Sequence, residues 1–146
     1  MSVFLLDANV LIALAWPEHI AHNRAGTWFA RHSRNGWSTC PFTQAAFVRI
    51  LSNPAFSPRA LSPQNAVAVL AANLKLPGHR FWPDDISMEE ALTPFGKRVG
   101  KRVFGHRQIT DAYLLALATH HKGRLATMDE GIGSLGESVE LIPRFT

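Results

Sequence analysis

The sequence contains a single cysteine, Cys40, among its 146 residues, so it cannot form an internal disulfide. No apolar stretch reaches the roughly 20 residues that a membrane-spanning helix needs. The first residues also lack the basic segment that opens a signal peptide. We therefore expect a cytoplasmic protein without a membrane span, in which Cys40 is a buried, inert residue rather than a catalytic nucleophile.

The sequence also lacks a phosphate-binding loop of the Walker type. The segment 96–102 contains two glycines, but they lie one residue too close together. In addition, Arg102 occupies the position where a Ser or Thr must bind magnesium. These departures exclude a P-loop nucleotide-binding protein.

Positive charge is in excess and is concentrated in one segment. Fifteen basic residues against eleven acidic ones give a formal net charge of +4, which favours an anionic partner. Five of the fifteen basic residues lie close together, at Lys97, Arg98, Lys101, Arg102 and Arg107. Such runs are commonly solvated surfaces. Because this one directly precedes an acidic motif, we predict that it contacts phosphates.

Hydrophobic patterning predicts one α/β domain, residues 1–146, with a parallel sheet. The first predicted strand ends at Asp7. The other four predicted strands cover Trp37–Cys40, His79–Trp82, Arg124–Met128 and Val139–Ile142. Predicted helices cover Asn9–Ala15, His19–His32, Thr43–Leu51, a segment from the Ser62 cap to Leu74, a segment beginning near Met88 after Ser87, and Thr110–Ala118. Ser87 and Glu90 have the spacing of a capping box, and Thr110 is the expected cap of the last helix.

Three aspartates are expected to meet at one edge of this sheet. Asp7 and Asp129 each follow a buried strand, and Asp111 opens a buried helix. Each position also has a purely structural explanation, since Asp is common at helix caps and in first helical turns. Three carboxylates held close together repel one another unless a cation neutralises them. An oxygen-only site suits Mg²⁺ or Mn²⁺, which can activate water and stabilise charge on a phosphodiester.

Three segments together resemble the motifs of a known family. The segments 5–11, 110–116 and 125–129 are similar, in order and spacing, to the motifs of PIN domains, in particular VapC-type toxins of toxin–antitoxin pairs. The resemblance implies a three-layer α/β/α sandwich and an endoribonuclease that depends on Mg²⁺ or Mn²⁺. It further implies an RNA substrate, a homodimer, and inhibition by a cognate VapB-like antitoxin.

The resemblance also assigns roles to individual residues. The implied catalytic and metal-binding acids are Asp7, Asp111 and Asp129. The implied supporting residues are Asn9, Gln44, Thr110 and Thr127. The residues that we expect to contact the RNA backbone are Lys101, Arg102 and Arg107. The departure is Gln44, where most relatives have a Glu, and Asp85 or Glu130 could compensate for the missing charge.

Three other functions fit parts of the sequence. A HAD-type phosphatase requires a second acid two residues after the first, where this chain has Asn9. A non-catalytic RNA-binding or regulatory module of the same fold would explain Gln44 as a mark of a degraded metal site. A zinc site is a third alternative, built from His19 and His22 or from His120 and His121.

Overall fold

A computed structural model describes residues 2–98, 105–133 and 136–143 of the chain. The strands are β1 (Phe4–Leu6), β2 (Trp37–Thr39), β3 (His79–Phe81), β4 (Arg124–Thr127) and β5 (Val139–Leu141). The helices are α1 (Ala8–Ala15), α2 (His22–His32), α3 (Pro41–Leu51), α4 (Pro63–Leu74), α5 (Met88–Arg98), α6 (Ile109–His120) and α7 (Glu130–Gly133). None of the helices described is long and apolar enough to cross a membrane.

The five strands form one sheet in the order β3-β2-β1-β4-β5, and every neighbouring pair is parallel. The chain builds outward from β1 to β2 and β3, then returns to the other side of β1 for β4 and β5. The strand order therefore reverses between β1 and β4. In open parallel sheets, this reversal creates a crevice at the carboxyl ends of the two strands.

Helices cover both faces of the sheet, because successive strand side chains point to opposite sides. On one face, Leu5 and Leu125 share a buried cluster with Tyr113 and Leu117 of α6. On the other face, Leu6 belongs to a cluster that includes side chains from α1, α2, α3 and α4. The molecule is thus the three-layer α/β/α sandwich that the sequence resemblance implied.

Local capping agrees with the sequence in two places. The Ser62 hydroxyl accepts a hydrogen bond from the Asn65 backbone N–H at 3.1 Å and caps α4. The Ser87 hydroxyl accepts from the Glu90 backbone N–H at 3.0 Å and donates to the Glu90 carboxylate at 3.2 Å. This reciprocal pair satisfies an otherwise unpaired donor at the start of α5.

Other helix starts differ from the prediction. Thr110 does not cap α6, because a 3₁₀ turn at His106–Gln108 leads directly into the helix and Gln108 is the cap residue. Helix α3 starts at Pro41 rather than at Thr43, since proline is favourable in the first helical turn. Helix α2 starts at His22, three residues later than predicted.

Gly123 lies at a close approach between α6 and the sheet. A Cβ atom at this position would lie 2.5 Å from the Val3 carbonyl oxygen and 2.7 Å from the Trp82 ring. Because the Val3 oxygen belongs to the backbone, it cannot rotate away from an added methyl group. Gly26, within α2, has no atom within 4 Å of its corresponding Cβ position.

We therefore expect Gly123→Ala to lower the free energy of unfolding by about 2 kcal/mol through overpacking. Gly26→Ala is the matched control and should raise it by about 0.5–1 kcal/mol, because alanine loses less conformational entropy in a helix. Urea denaturation followed by circular dichroism measures both changes. Equal effects of the two substitutions would contradict the steric explanation.

Candidate metal centre at the carboxyl edge of the sheet

Asp7 is a buried carboxylate at the carboxyl end of the central strand. It is 9% exposed and is the N-cap of α1, where its Oδ1 accepts a hydrogen bond from the Ala8 backbone N–H at 2.8 Å. Its Oδ2 accepts from the Thr127 hydroxyl at 2.9 Å. The structural and the functional explanations of Asp7 are therefore compatible, because the cap bond holds the carboxylate in a fixed orientation.

Thr127, the last residue of β4, connects the polar groups of the two central strand ends. Its hydroxyl donates to Asp7 and accepts from the Asn9 side-chain amide at 3.3 Å and from the Asp129 backbone N–H at 3.1 Å. Asn9 also accepts from the Met128 backbone N–H at 3.3 Å. One donor and two acceptor sites are the full hydrogen-bonding capacity of a hydroxyl group. Thr127 is fully buried and so fixes this edge.

Asp129 and Asp111 complete the acidic group. The Asp129 carboxylate accepts from the Gly131 backbone N–H at 2.8 Å, which orients it at the start of α7. Asp111 lies half-buried in the first turn of α6. The negative charges of Asp7 and Asp129 both act on Asp111. The structure therefore brings together the three aspartates that the sequence analysis singled out.

Burial and electrostatic repulsion favour the protonated forms of Asp111 and Asp7. Burial raises the pKa of Asp111 to about 6, and the neighbouring charges of Asp7 and Asp129 act in the same direction. Burial also raises the pKa of Asp7, against the opposing hydrogen bonds from Thr127 and Ala8. Burial and the two neighbouring charges all raise the pKa of Asp111, so a cation bound beside it would lower that pKa.

The donor set fits a hard divalent cation. Carboxylate oxygens are the ligands that Mg²⁺ and Mn²⁺ prefer, and a cation would relieve the repulsion that raises the pKa of Asp111. Among the described residues, however, the three side chains whose ligand atoms all lie within 4.8 Å of one another are Asp85, His120 and His121, not the three aspartates. The wider spacing of the aspartates suits an ion that retains part of its water shell, as Mg²⁺ does.

Gln44 lies near the carboxyl end of the neighbouring strand β2. Its side-chain amide donates to the Thr39 hydroxyl at 3.0 Å, and that hydroxyl also bonds the His79 ring nitrogen at 2.7 Å. Gln44 is half-buried. Its place in this network makes it a structural hydrogen-bonding residue of the β2 end.

The acids that could compensate for Gln44 lie elsewhere or contribute differently. Burial raises the pKa of Tyr113 to about 12, with the charge of Asp84 adding to the effect, and the Tyr113 hydroxyl donates to the Ile86 carbonyl at 3.2 Å. Asp85 bonds His121 at 3.0 Å. Neither Asp84 nor Asp85 is among the groups that shift the pKa of Asp7 or Asp111. Glu130 is exposed at the start of α7, directly after Asp129.

The remaining predicted site residues are more peripheral. Thr110 is exposed in the first turn of α6. Arg107 is exposed in the 3₁₀ turn that precedes α6, four residues before Asp111. Lys101 and Arg102 lie outside the described residues. Cys40 is buried, as expected, and burial raises the pKa of its thiol, which disfavours the reactive thiolate.

The first of the two histidine pairs in the zinc alternative, His19 and His22, is hydrogen-bonded to the backbone. The His19 ring accepts from the Ala21 N–H at 3.0 Å, and the His22 ring bonds the Ala13 carbonyl at 2.7 Å.

The glycines 131, 133 and 136 have the spacing of a dinucleotide-binding motif. Because β5 begins at Val139, three residues after Gly136, this pattern does not open the crossover helix that such a motif requires.

Comparison with known proteins decides the family. The PIN domain model matches residues 4–137. Ribonuclease VapC39 of Mycobacterium tuberculosis is 46% identical over 128 residues, which cover 88% of this chain and 89% of the relative. Ribonuclease VapC29 of the same species is 43% identical over 143 residues, 97% and 98% of the two chains. The chain belongs to the PIN-domain family.

Solved structures agree with the fold of a PIN domain. The crystal structure of VapC20 from Mycobacterium tuberculosis, a toxin that cleaves the sarcin–ricin loop, superposes with a TM-score of 0.65 at 17% identity. It covers 91% of this chain and 95% of its own. At this identity the likeness concerns the fold alone. PIN-domain ribonucleases use divalent metal ions, in agreement with the acidic donor set of this PIN domain.

The raised pKa of Asp111 predicts a pH-dependent stability of the metal-free PIN domain. The folded state binds a proton more tightly than the unfolded chain, so stability falls as pH rises from about 4 through about 6. Asp111→Asn removes this cost and should stabilise the protein at pH 7.5 by on the order of 1 kcal/mol, because partial exposure screens the interaction.

Denaturation in the presence of a chelator, at pH 4 and at pH 7.5, measures the effect. The advantage of Asp111→Asn should shrink towards pH 4, whereas Glu137→Gln, a change at an exposed acid, should leave stability nearly unchanged at both values. An advantage that is independent of pH would show that repulsion and burial of Asp111 are not its cause.

Proposed function

We propose that this PIN domain is a metal-dependent endoribonuclease and the toxin of a toxin–antitoxin pair. The observation that carries the proposal is the electrostatic coupling of Asp111 to Asp7 and Asp129, with Asp7 buried and held by Thr127 at the carboxyl ends of β1 and β4. The naming of relatives at 39–46% identity as VapC ribonucleases supports the same activity.

The three aspartates would hold the ion, with Mg²⁺ or Mn²⁺ as the candidates. Such an ion, when bound, lowers the pKa of a coordinated water and stabilises negative charge on a phosphodiester. Thr127 and Asn9 are positioning residues, because their hydrogen bonds keep the Asp7 carboxylate turned towards the carboxyl edge. Asp111 must lose its proton to bind the ion, so the ion and the proton compete for this side chain.

RNA would be held by its backbone. Arg107 is exposed directly before α6, and Lys101 and Arg102 precede it in sequence. Side chains of this kind neutralise phosphates without reading the bases. The basic segment therefore gives affinity for a polynucleotide, whereas the position of the acids determines where the chain is cut.

An antitoxin of the VapB kind is the proposed partner in the cell. The fold is shared with VapBC2 from Rickettsia felis, with a TM-score of 0.64 at 10% identity. The crystal structure of VapBC2 contains a DNA fragment from the promoter of that pair. That match covers 95% of this chain and 96% of the other. A homodimer in the cytoplasm completes the proposal.

A non-catalytic RNA-binding module of the same fold is the second candidate. Gln44 favours it, because an amide that donates to Thr39 replaces an acid at this edge. The two functions differ in what happens when one of the three coupled acids becomes neutral.

Asp7→Asn should lower the rate of Mn²⁺-dependent cleavage of a fluorescent RNA at least about 100-fold, because the neutral amide is a poor ligand for a hard cation. An asparagine keeps the shape of the side chain and can accept the cap hydrogen bond from Ala8 through its Oδ1, so the fold and RNA affinity should persist. Gel assays and fluorescence anisotropy measure the two quantities, with Glu137→Gln as the control. Cleavage that survives in Asp7→Asn would refute the proposed centre.

The basic segment makes a separate prediction about salt. Exchanging Lys101 and Arg102 for Glu should weaken RNA binding. It should also make the slope of log affinity against log salt shallower, by roughly 0.7 for each RNA phosphate that the variant no longer neutralises. Arg31→Glu, on the exposed side of α2, should change the slope little. An unchanged slope in the double variant would remove these two residues from the RNA-binding surface.

A further inference from the structure

A second group of metal-binding side chains lies at the far end of α6. The Asp85 carboxylate lies between two neighbouring histidines: Oδ1 is hydrogen-bonded to His121 Nε2 at 3.0 Å, and Oδ2 lies 3.6 Å from His120 Nε2. The ligand atoms of these residues all lie within 4.8 Å of one another. We call this group the Asp–His–His cluster.

Two features of the fold set the geometry of this cluster, the end of α6 and the ring of Trp82. Helix α6 ends at His120, and the His121 N–H bonds back to the Leu117 carbonyl at 3.1 Å. The buried Trp82 ring stacks on the His121 ring, with centroids 4.5 Å apart and planes inclined by 11°. This contact limits rotation of the imidazole and keeps its Nε2 directed at Asp85.

The donor set differs in kind from that of the three aspartates. Two imidazole nitrogens and one carboxylate oxygen are typical ligands of zinc and related transition metals, whereas Mg²⁺ prefers oxygen alone. Three protein ligands leave a coordination position for water. The cluster is accessible to an ion from solvent, since the His120 and His121 side chains are 46% and 21% exposed.

The cluster is separate from the acidic centre. Asp111 and His120 lie nine residues apart on α6, a distance of about 14 Å along a helix that rises 1.5 Å per residue. The negative end of the helix dipole lies at His120, and this end favours a cation. The two groups can therefore bind ions independently.

We propose that Asp85, His120 and His121 form a zinc-binding site that fastens the connection between β3 and α5 to the end of α6. This inference does not depend on ribonuclease activity. A bound ion would stabilise the folded state, because the unfolded chain does not hold the three ligands together.

Zinc binding to the tag-free protein, measured by competition with a chromogenic chelator, tests the site. His120→Ala and Asp85→Asn should each weaken the tightest zinc binding that the wild-type protein shows by at least about tenfold. His106→Ala, at an exposed histidine outside the cluster, should leave it unchanged. Asp7→Asn should also leave it unchanged, because that residue belongs to the acidic centre.

Histidine side-chain NMR identifies the ligands directly. Zinc should shift the Nε2 resonances of His120 and His121, and an excess of Mg²⁺ should not. The proposal is overturned if His120→Ala binds zinc as tightly as the wild type. It is equally overturned if Asp7→Asn abolishes the tightest zinc binding, since zinc would then occupy the acidic centre.

Discussion

The hydrogen bond from the Thr127 hydroxyl to Asp7 is the contact on which the acidic centre depends. It joins the ends of β1 and β4, the two strands between which the sheet reverses its order. The same hydroxyl accepts from Asn9 and from the Asp129 backbone, so one buried side chain sets the positions of both flanking acids. A valine of similar shape would leave these polar groups without a partner in a buried environment, which is costly.

Repulsion among the acids links stability to function. Asp111 lies in the first turn of α6, where the helix dipole favours a negative charge. Its pKa is nevertheless raised to about 6, so burial together with the charges of Asp7 and Asp129 outweighs the dipole. The fold therefore holds a carboxylate in an unfavourable state that a cation can relieve. This is the arrangement expected of a binding site, where local stability is exchanged for affinity.

Much of the fold follows from the sequence because its signals are local. All five predicted strands formed, and the Ser62 and Ser87 caps formed as their spacing indicated. The convergence of Asp7 and Asp129 followed from parallel strands sharing one edge. Thr110 shows the limit of local signals. Its residue type favours a cap, but a 3₁₀ turn leads into the helix two residues earlier. The type of a single residue does not indicate the path that the chain takes before a helix.

Contacts between distant residues were beyond sequence reasoning. The pair His120 and His121 was visible, but Asp85 lies 35 residues earlier, and only the path of the chain after β3 brings it there. The three bonds of Thr127 depend likewise on the register of β1 against β4. The family resemblance suggested that Thr127 supports the site, whereas its place at the centre of the hydrogen-bond network follows only from the fold.

Helix α6 explains how one small domain can carry two groups of different ligand chemistry. Its buried face, with Tyr113 and Leu117, fixes it against the sheet. Its first turn then holds Asp111 near the carboxyl ends of the strands, and its last turn holds the histidines about 14 Å away. Oxygen ligands at one end and nitrogen ligands at the other favour different ions. The rigidity of a single packed helix therefore keeps the two groups from sharing a ligand.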